Sequence, residues 1–166
     1  AEHSDKTHTL LYTKHTALKI GMFALERMVQ VMEMTQAGMV YADHYQQIDG
    51  VQKTAPVIDY QPGSLRDDFN FGSVLLFNAN AFKEVIENTE EEYQYAGLYD
   101  LRLKISQKSK LVHINEYLYT EVESDKRKSG EKQFDYVDPK NRQVQIEMEQ
   151  ACTNHLKEIG GYLYPI

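Results

Sequence analysis

The segments THTLLY at residues 7–12 and MVYAD at residues 39–43 decide the fold, because each contains an apolar run of strand length. Between them, apolar residues recur at alternating spacings of four and three, as they do on one face of a helix. We predict a helix over residues 18–36, ended by Ala37-Gly38, and an α/β structure that begins with a β-α-β unit. The stripe comprises Leu18, Met22, Leu25, Val29 and Met32.

The rest of the chain continues this alternation of strands and helices. Asp49-Gly50 favours the positive φ angles of a type I′ turn, so we predict a hairpin between residues 45–48 and 51–54. Either Asn78 or Asn80 can accept from an orphan amide and begin a short helix that ends at Asn88. Further strands are predicted at residues 71–77, 111–114 and 118–122, a helix at residues 95–106, and a long C-terminal helix at residues 138–160.

Residues 123–137 are rich in charged side chains and lack apolar anchors, which predicts a mobile loop. Such a loop can act as a lid over a site, or it can simply connect two elements. The following Asp138-Pro139 pair is typical of a helix N-cap and first helical position.

Composition excludes several functional classes. The chain has 18 Lys and Arg against 25 Asp and Glu in 166 residues, so it lacks the basic surface that nucleic-acid binding requires. Its one cysteine, Cys152, cannot form an internal disulfide, and no stretch is apolar enough to cross a bilayer. We therefore expect a reducing, cytoplasmic setting, with neither a membrane segment nor a nucleic-acid partner.

Three motifs in order suggest a family. The segment MVYAD at 39–43 is followed by YDLRL at 99–103 and then by LVHINEYLY at 111–119. Their order and spacing over residues 7–122 resemble those of the family 2 glycosyltransferases. The resemblance implies a GT-A fold, a Rossmann-like mixed sheet flanked by helices. It also implies that residues 1–166 form a single, incomplete domain, a fragment of a larger glycosyltransferase-like protein.

In that family, an Asp-x-Asp motif after the early strand holds Mg²⁺ or Mn²⁺ on the donor diphosphate. The resemblance places Tyr12 and Lys14 at the two acidic positions. Neither side chain can replace a carboxylate as a ligand for a hard cation, so we expect this chain alone to hold no metal. Alternatively, Lys14 and His15 could supply positive charge directly to the diphosphate.

The catalytic base of inverting family members is an Asp in an acidic pair just before the Tyr-Asp-Leu motif. Here the resemblance places Gly97 and Leu98 at that pair, and leucine cannot accept a proton. Asp100 remains close by, either as a replacement base or as a surface or capping carboxylate.

Three other carboxylates are also site candidates. Asp43 follows a strand, near the edge where open α/β sheets bind ligands. Asp67 and Asp68 fall in the region that the resemblance assigns to the acceptor, although loop aspartates also cap turns or face solvent.

Two functions follow from the resemblance. The chain could be the acceptor half of a sugar transferase that uses a nucleotide sugar together with a missing N-terminal half. It could instead be a non-catalytic binding or scaffold module that retains the transferase fold. An incomplete sheet would leave residues 7–12 at an open edge, which predicts a possible homodimer through that edge.

Overall fold

The computed structural model describes residues 7–123 and 139–164. These residues form an α/β structure in which six strands make one mixed sheet and four helices flank it. In chain order the elements are β1 (His8–Tyr12), β2 (Ala17–Ile20), α1 (Ala24–Thr35), β3 (Met39–Ile48), β4 (Val51–Ala55), β5 (Val74–Asn78), α2 (Ala79–Glu87), α3 (Gly97–Lys108), β6 (Leu111–Glu123) and α4 (Pro139–Glu158).

The sheet has the strand order β1-β5-β3-β6-β2, with β4 paired to the distal half of β3. The central pair, β3 and β6, is parallel, whereas the other pairs are antiparallel. Strands β1 and β2 therefore lie at opposite ends of the sheet. Among the described residues, each of these two strands pairs on one side only.

Both faces of the sheet are covered. Helix α1 packs on one face through Met28 and Met32, which contact a core that includes Val40 and Ala42 of β3. Helix α3 packs on the other face through Leu101 and Ile105. Because side chains alternate along a strand, β3 supplies buried residues to both cores. Helix α4 then packs against the outer side of α3, with Ala151 fully buried.

The first helix is shorter than the sequence predicted. Residues 17–20 form β2, which pairs with β6, and α1 begins only at Ala24. The chain turns at Gly21, whose amide donates to the Leu118 carbonyl at 2.9 Å, and at Phe23, which adopts a left-handed φ of 58°. A Cβ at Gly21 would lie 2.7 Å from the Leu118 oxygen, so this approach requires glycine. Pairing with β6 thus overrides the helical spacing of Leu18 and Met22.

Several local predictions are confirmed. Strands β3 and β4 form the expected hairpin, with positive φ angles at Asp49 and Gly50. The Asn78 side chain accepts from the amides of Asn80 and Ala81 and caps α2. The amide of Gly161 donates to the Leu156 carbonyl at 2.8 Å, which ends the C-terminal helix at the predicted glycine pair.

The two strands predicted at residues 111–114 and 118–122 are one strand. Residues 115–117 do not form a turn, because β6 stays paired with β3 along its length. The pairing register shifts between Ala42 and His44, so a bulge absorbs the extra residues of β6.

The predicted mobile loop and the N-cap Asp138 lie outside the described residues, except for Glu123 at the end of β6. In the described ranges, every helix is too short or too polar to span a bilayer.

Candidate functional site

Lys14 lies just beyond the end of β1 and forms an ion pair across the sheet. Its Nζ is 2.5 Å from Oε2 of Glu121 on β6. The Glu121 side chain is only 2% exposed, whereas the Lys14 side chain is 34% exposed, so the lysine reaches inward from the surface to a buried carboxylate. This ion pair occupies the position to which the sequence resemblance assigned a metal-binding acid.

Three further buried residues surround this ion pair. Nε2 of His44 lies 3.4 Å from Oε1 of Glu121, and the His44 ring stacks on Tyr119 with ring centroids 5.0 Å apart. The Tyr119 hydroxyl accepts from the amide of Ser73 at 2.9 Å. We refer to Lys14, His44, Ser73, Tyr119 and Glu121 as the Lys14 cluster.

The Lys14 cluster carries no net charge near neutral pH. Burial is the largest single influence on the Glu121 carboxyl and acts to raise its pKa, but Lys14, Ser73 and His44 together outweigh burial and hold the pKa below its ordinary value. Burial lowers the pKa of His44, although the charge of Glu121 opposes that shift. The His44 Nδ1 atom is buried without a hydrogen-bond partner among the described residues, so protonating it would add an unsatisfied donor. The cluster therefore contains one ammonium, one carboxylate and a neutral imidazole.

A second group, which we call the His113 cluster, comprises Asp43, Asp59 and His113. Nε2 of His113 lies 2.9 Å from Oδ1 of Asp43, and its Nδ1 lies 2.8 Å from Oδ1 of Asp59. The His113 ring also stacks on Tyr41, with ring centroids 5.3 Å apart. Both ring nitrogens lie at hydrogen-bond distance from carboxylates, so the His113 ring connects β6 to Asp43 on β3 and to Asp59.

Asp43 is not at the end of a strand, as the sequence suggested, but in the interior of β3. It is 2% exposed, and its Oδ1 accepts from the amide of Val57 at 2.8 Å. The Tyr41 hydroxyl donates to the carbonyl of Ile58 at 2.8 Å. Together with the His113–Asp59 contact, these bonds fasten residues 57–59 to the sheet. The position of Asp43 is thus explained by structural hydrogen bonding.

The residues present do not fit the divalent metal that the resemblance implies. Lys14 places an ammonium beside the buried carboxylate of Glu121 and would repel a second cation. Among residues 7–123 and 139–164, no group of three or more His, Cys, Asp or Glu side chains is arranged to hold a metal ion.

The second predicted site, at the start of α3, also lacks an available carboxylate. Leu98 is 39% exposed in the first turn of the helix. Asp100 is buried, and its Oδ2 lies 2.8 Å from Nζ of Lys104. Burial raises the pKa of Asp100, although the hydrogen bond from Lys104 acts in the opposite direction. The Asp100 carboxylate is thus paired with Lys104 of the same helix.

Leu98 and Asp67 line the same cavity, which we call the aromatic cavity. Its volume is about 220 Å³, and it lies between the segment before β5, the start of α3 and helix α4. Asp68 does not line it, but forms an exposed ion pair with Arg66 at 2.9 Å. The cavity lining also includes Phe69, Phe71, Leu75, Tyr99 and Arg102.

His15 lies apart from the aromatic cavity. It is exposed and lines an open cavity of about 540 Å³ together with Asp49 and Gly50 of the hairpin turn. Its neighbour Lys14 points to Glu121 instead, so the structure does not bring these two candidate residues into one basic site.

Sequence reasoning missed His44, Glu121 and His113. All three lie on the central strands β3 and β6, where their side chains are largely buried. Polar residues inside a buried strand require partners, and this was the available signal. Their partners are remote in the sequence, since Asp43 and His113 are separated by 70 positions.

No protein-family model matches this sequence, and no curated protein matches it significantly.

Proposed function

We propose that this chain is a glycosyltransferase-like domain that serves as a non-catalytic binding or scaffold module. The resemblance of residues 7–122 supplies the family part of this proposal. The ion pair between Lys14 and Glu121 is the observation that favours a non-catalytic role. It replaces the carboxylates that would carry a metal, and it cancels the charge that Lys14 could offer to a diphosphate.

The start of α3 supports the same conclusion. A transferase of the inverting type needs a base that reaches the attacking hydroxyl. Leu98 has no titratable group, and Asp100 is buried beside Lys104. The chain therefore lacks an available base at the position that the resemblance assigns to one.

The experiment is calorimetric titration of the folded chain with UDP, GDP and dTDP sugars, with and without Mn²⁺. We expect no metal-dependent binding. Metal-dependent binding of any donor would contradict the proposal. Lys14→Ala and the neighbouring Thr13→Ala serve as a pair of variants: metal-independent binding that only Lys14→Ala removes would also contradict the proposal, because it would make Lys14 a diphosphate ligand.

The second candidate function is transfer of a sugar from a nucleotide sugar to a hydroxyl. The aromatic cavity favours it, because Leu98 and Asp67 bring the base position and the acceptor region together there. Release of nucleotide from a donor sugar, lost on Asp67→Asn but kept in Asp68→Asn, would replace the first proposal with this one.

A further inference from the structure

The aromatic cavity has the size and lining of a small-molecule site. Its walls are mainly apolar and include the rings of Phe69, Phe71 and Tyr99. Its volume of about 220 Å³ exceeds the roughly 150 Å³ of an apolar protein cavity that binds benzene. One aromatic ring with a small substituent would therefore fit.

A buried guanidinium forms part of this wall. Arg102 is 3% exposed and donates to the carbonyls of Ser64 and Arg66. Its Cζ lies 4.8 Å from the ring centroid of Tyr99 and 5.6 Å from that of Phe71. In the part of the chain that the structure describes, no carboxylate lies within ion-pair distance of this guanidinium. The cation is thus held by carbonyls and ring faces, and it retains N–H groups that could donate to an anion.

The one carboxylate that lines the cavity is exposed. Water screens Asp67, whereas the buried charge of Arg102 acts at a lower effective dielectric constant. The electrostatic preference of the cavity is therefore set mainly by Arg102.

We propose that the aromatic cavity binds a small aromatic carboxylate, with the ring among Phe69, Phe71 and Tyr99 and the carboxylate toward Arg102. This inference goes beyond the proposed function and does not depend on it, because the ion pair between Lys14 and Glu121, which carries that proposal, lies on the opposite face of the sheet. Leu75 and Tyr119 mark these two faces, since they belong to separate cores.

The test is titration of the isotope-labelled chain with benzoate and with benzamide, followed by protein-observed NMR. We expect benzoate to bind in the roughly millimolar range, with the largest shifts at Leu98 and Tyr99. Because benzamide has nearly the same shape without the charge, we expect it to bind roughly tenfold more weakly.

Two matched variants locate the site without disturbing Arg102. Leu98 and Leu25 are each the second residue of a helix and each 39% exposed. Leu98→Trp should fill the cavity and weaken benzoate binding at least roughly tenfold, whereas Leu25→Trp should leave it unchanged.

Asp67→Asn should strengthen benzoate binding roughly two- to fivefold by removing a like charge.

Three outcomes would overturn the proposal: no benzoate binding to the folded wild type, equal affinity for benzamide, or unchanged binding in a folded Leu98→Trp variant.

Discussion

At the scale of single residues, Lys14 determines the charge state of a buried carboxylate. Lys14→Met would leave Glu121 buried without its ammonium. We expect the free energy of unfolding at pH 7 to fall by about 1–3 kcal/mol, less than for a fully buried pair because Lys14 is partly exposed. Chemical denaturation of both proteins measures this difference. Lys19→Met, which removes an exposed lysine bonded to Gln47, is the control and should change stability little.

The same substitution should invert the pH dependence contributed by Glu121. In the wild type, the folded pKa of Glu121 lies below the unfolded value of 4.5, so its contribution is present above that pH and is lost as the pH falls through the folded pKa. In Lys14→Met, burial stays the largest influence on the Glu121 carboxyl and only Ser73 and His44 still oppose it, so we expect the folded pKa to rise above the unfolded value. Acidification from about pH 7 to about pH 5 should then stabilise the variant relative to the wild type. A constant stability difference across that interval would refute this.

The structural role of Asp43 can be tested separately from that of Asp59. Asp43→Ala removes the acceptor of the Val57 amide and one partner of His113. We expect a loss of about 2–4 kcal/mol, because two buried polar groups lose their partners. Asp59→Ala removes only the exposed end of the cluster, where the Asp59 side chain is 83% exposed, and should change stability by less than about 1 kcal/mol. Hydrogen exchange at the Val57 amide should accelerate in the first variant but not in the second.

At the scale of elements, we expect alanine to change the free energy of unfolding in opposite directions at two glycines, one next to the end of α3 and one at its start. A Cβ at Gly38 would lie 2.6 Å from Cβ of Ser109, so Gly38→Ala forces β3 and α3 apart and should destabilise by about 1–3 kcal/mol. Gly97 begins α3 with nothing within 4 Å of its Cβ position, so Gly97→Ala should stabilise by about 0.5–1 kcal/mol. Thermal unfolding of the two variants tests both signs. Equal shifts in the unfolding temperature of the two variants would contradict this prediction.

The elements that the sequence located correctly are those fixed by local chemistry. The hairpin depends on Asp49-Gly50, and the start of α2 depends on Asn78. The start of α1 was wrong because Leu18 belongs to β2, whose partner Glu121 lies about one hundred residues later. Apolar spacing cannot reveal a pairing across that separation.

The candidate sites were even less accessible from the sequence. The sequence alone argues against a metal ligand at Lys14 and a catalytic base at Leu98, because neither side chain is a carboxylate. The contacts at these two places could not be identified from the sequence, because Glu121 meets Lys14, and Arg102 stacks on Tyr99, only in the folded protein. A buried acidic residue in a central strand therefore indicates that a cation lies beside it, supplied by a part of the chain that is remote in the sequence.

At the scale of the whole molecule, the side of β1 away from β5 is an unpaired sheet edge among the described residues. We propose that any homodimer pairs or covers this strand, because among the described residues β1 pairs only with β5. Leu10 on β1 is 43% exposed, and Leu10→Lys should weaken a dimer roughly tenfold by placing charge at the contact.

Sedimentation velocity over a concentration series measures this effect. Leu163→Lys is the control, because Leu163 is 89% exposed outside the helices and strands. Self-association that is unaffected by Leu10→Lys but weakened by Leu163→Lys would place the interface elsewhere.

The Lys14–Glu121 pair also constrains how this sequence can change during evolution. An aspartate at position 14 would place a second negative charge beside a carboxylate that is already shielded from water. We expect such a protein to be less stable than the present one. Mutational paths that place an acidic residue at position 14 are therefore less costly in stability when Glu121 is replaced first.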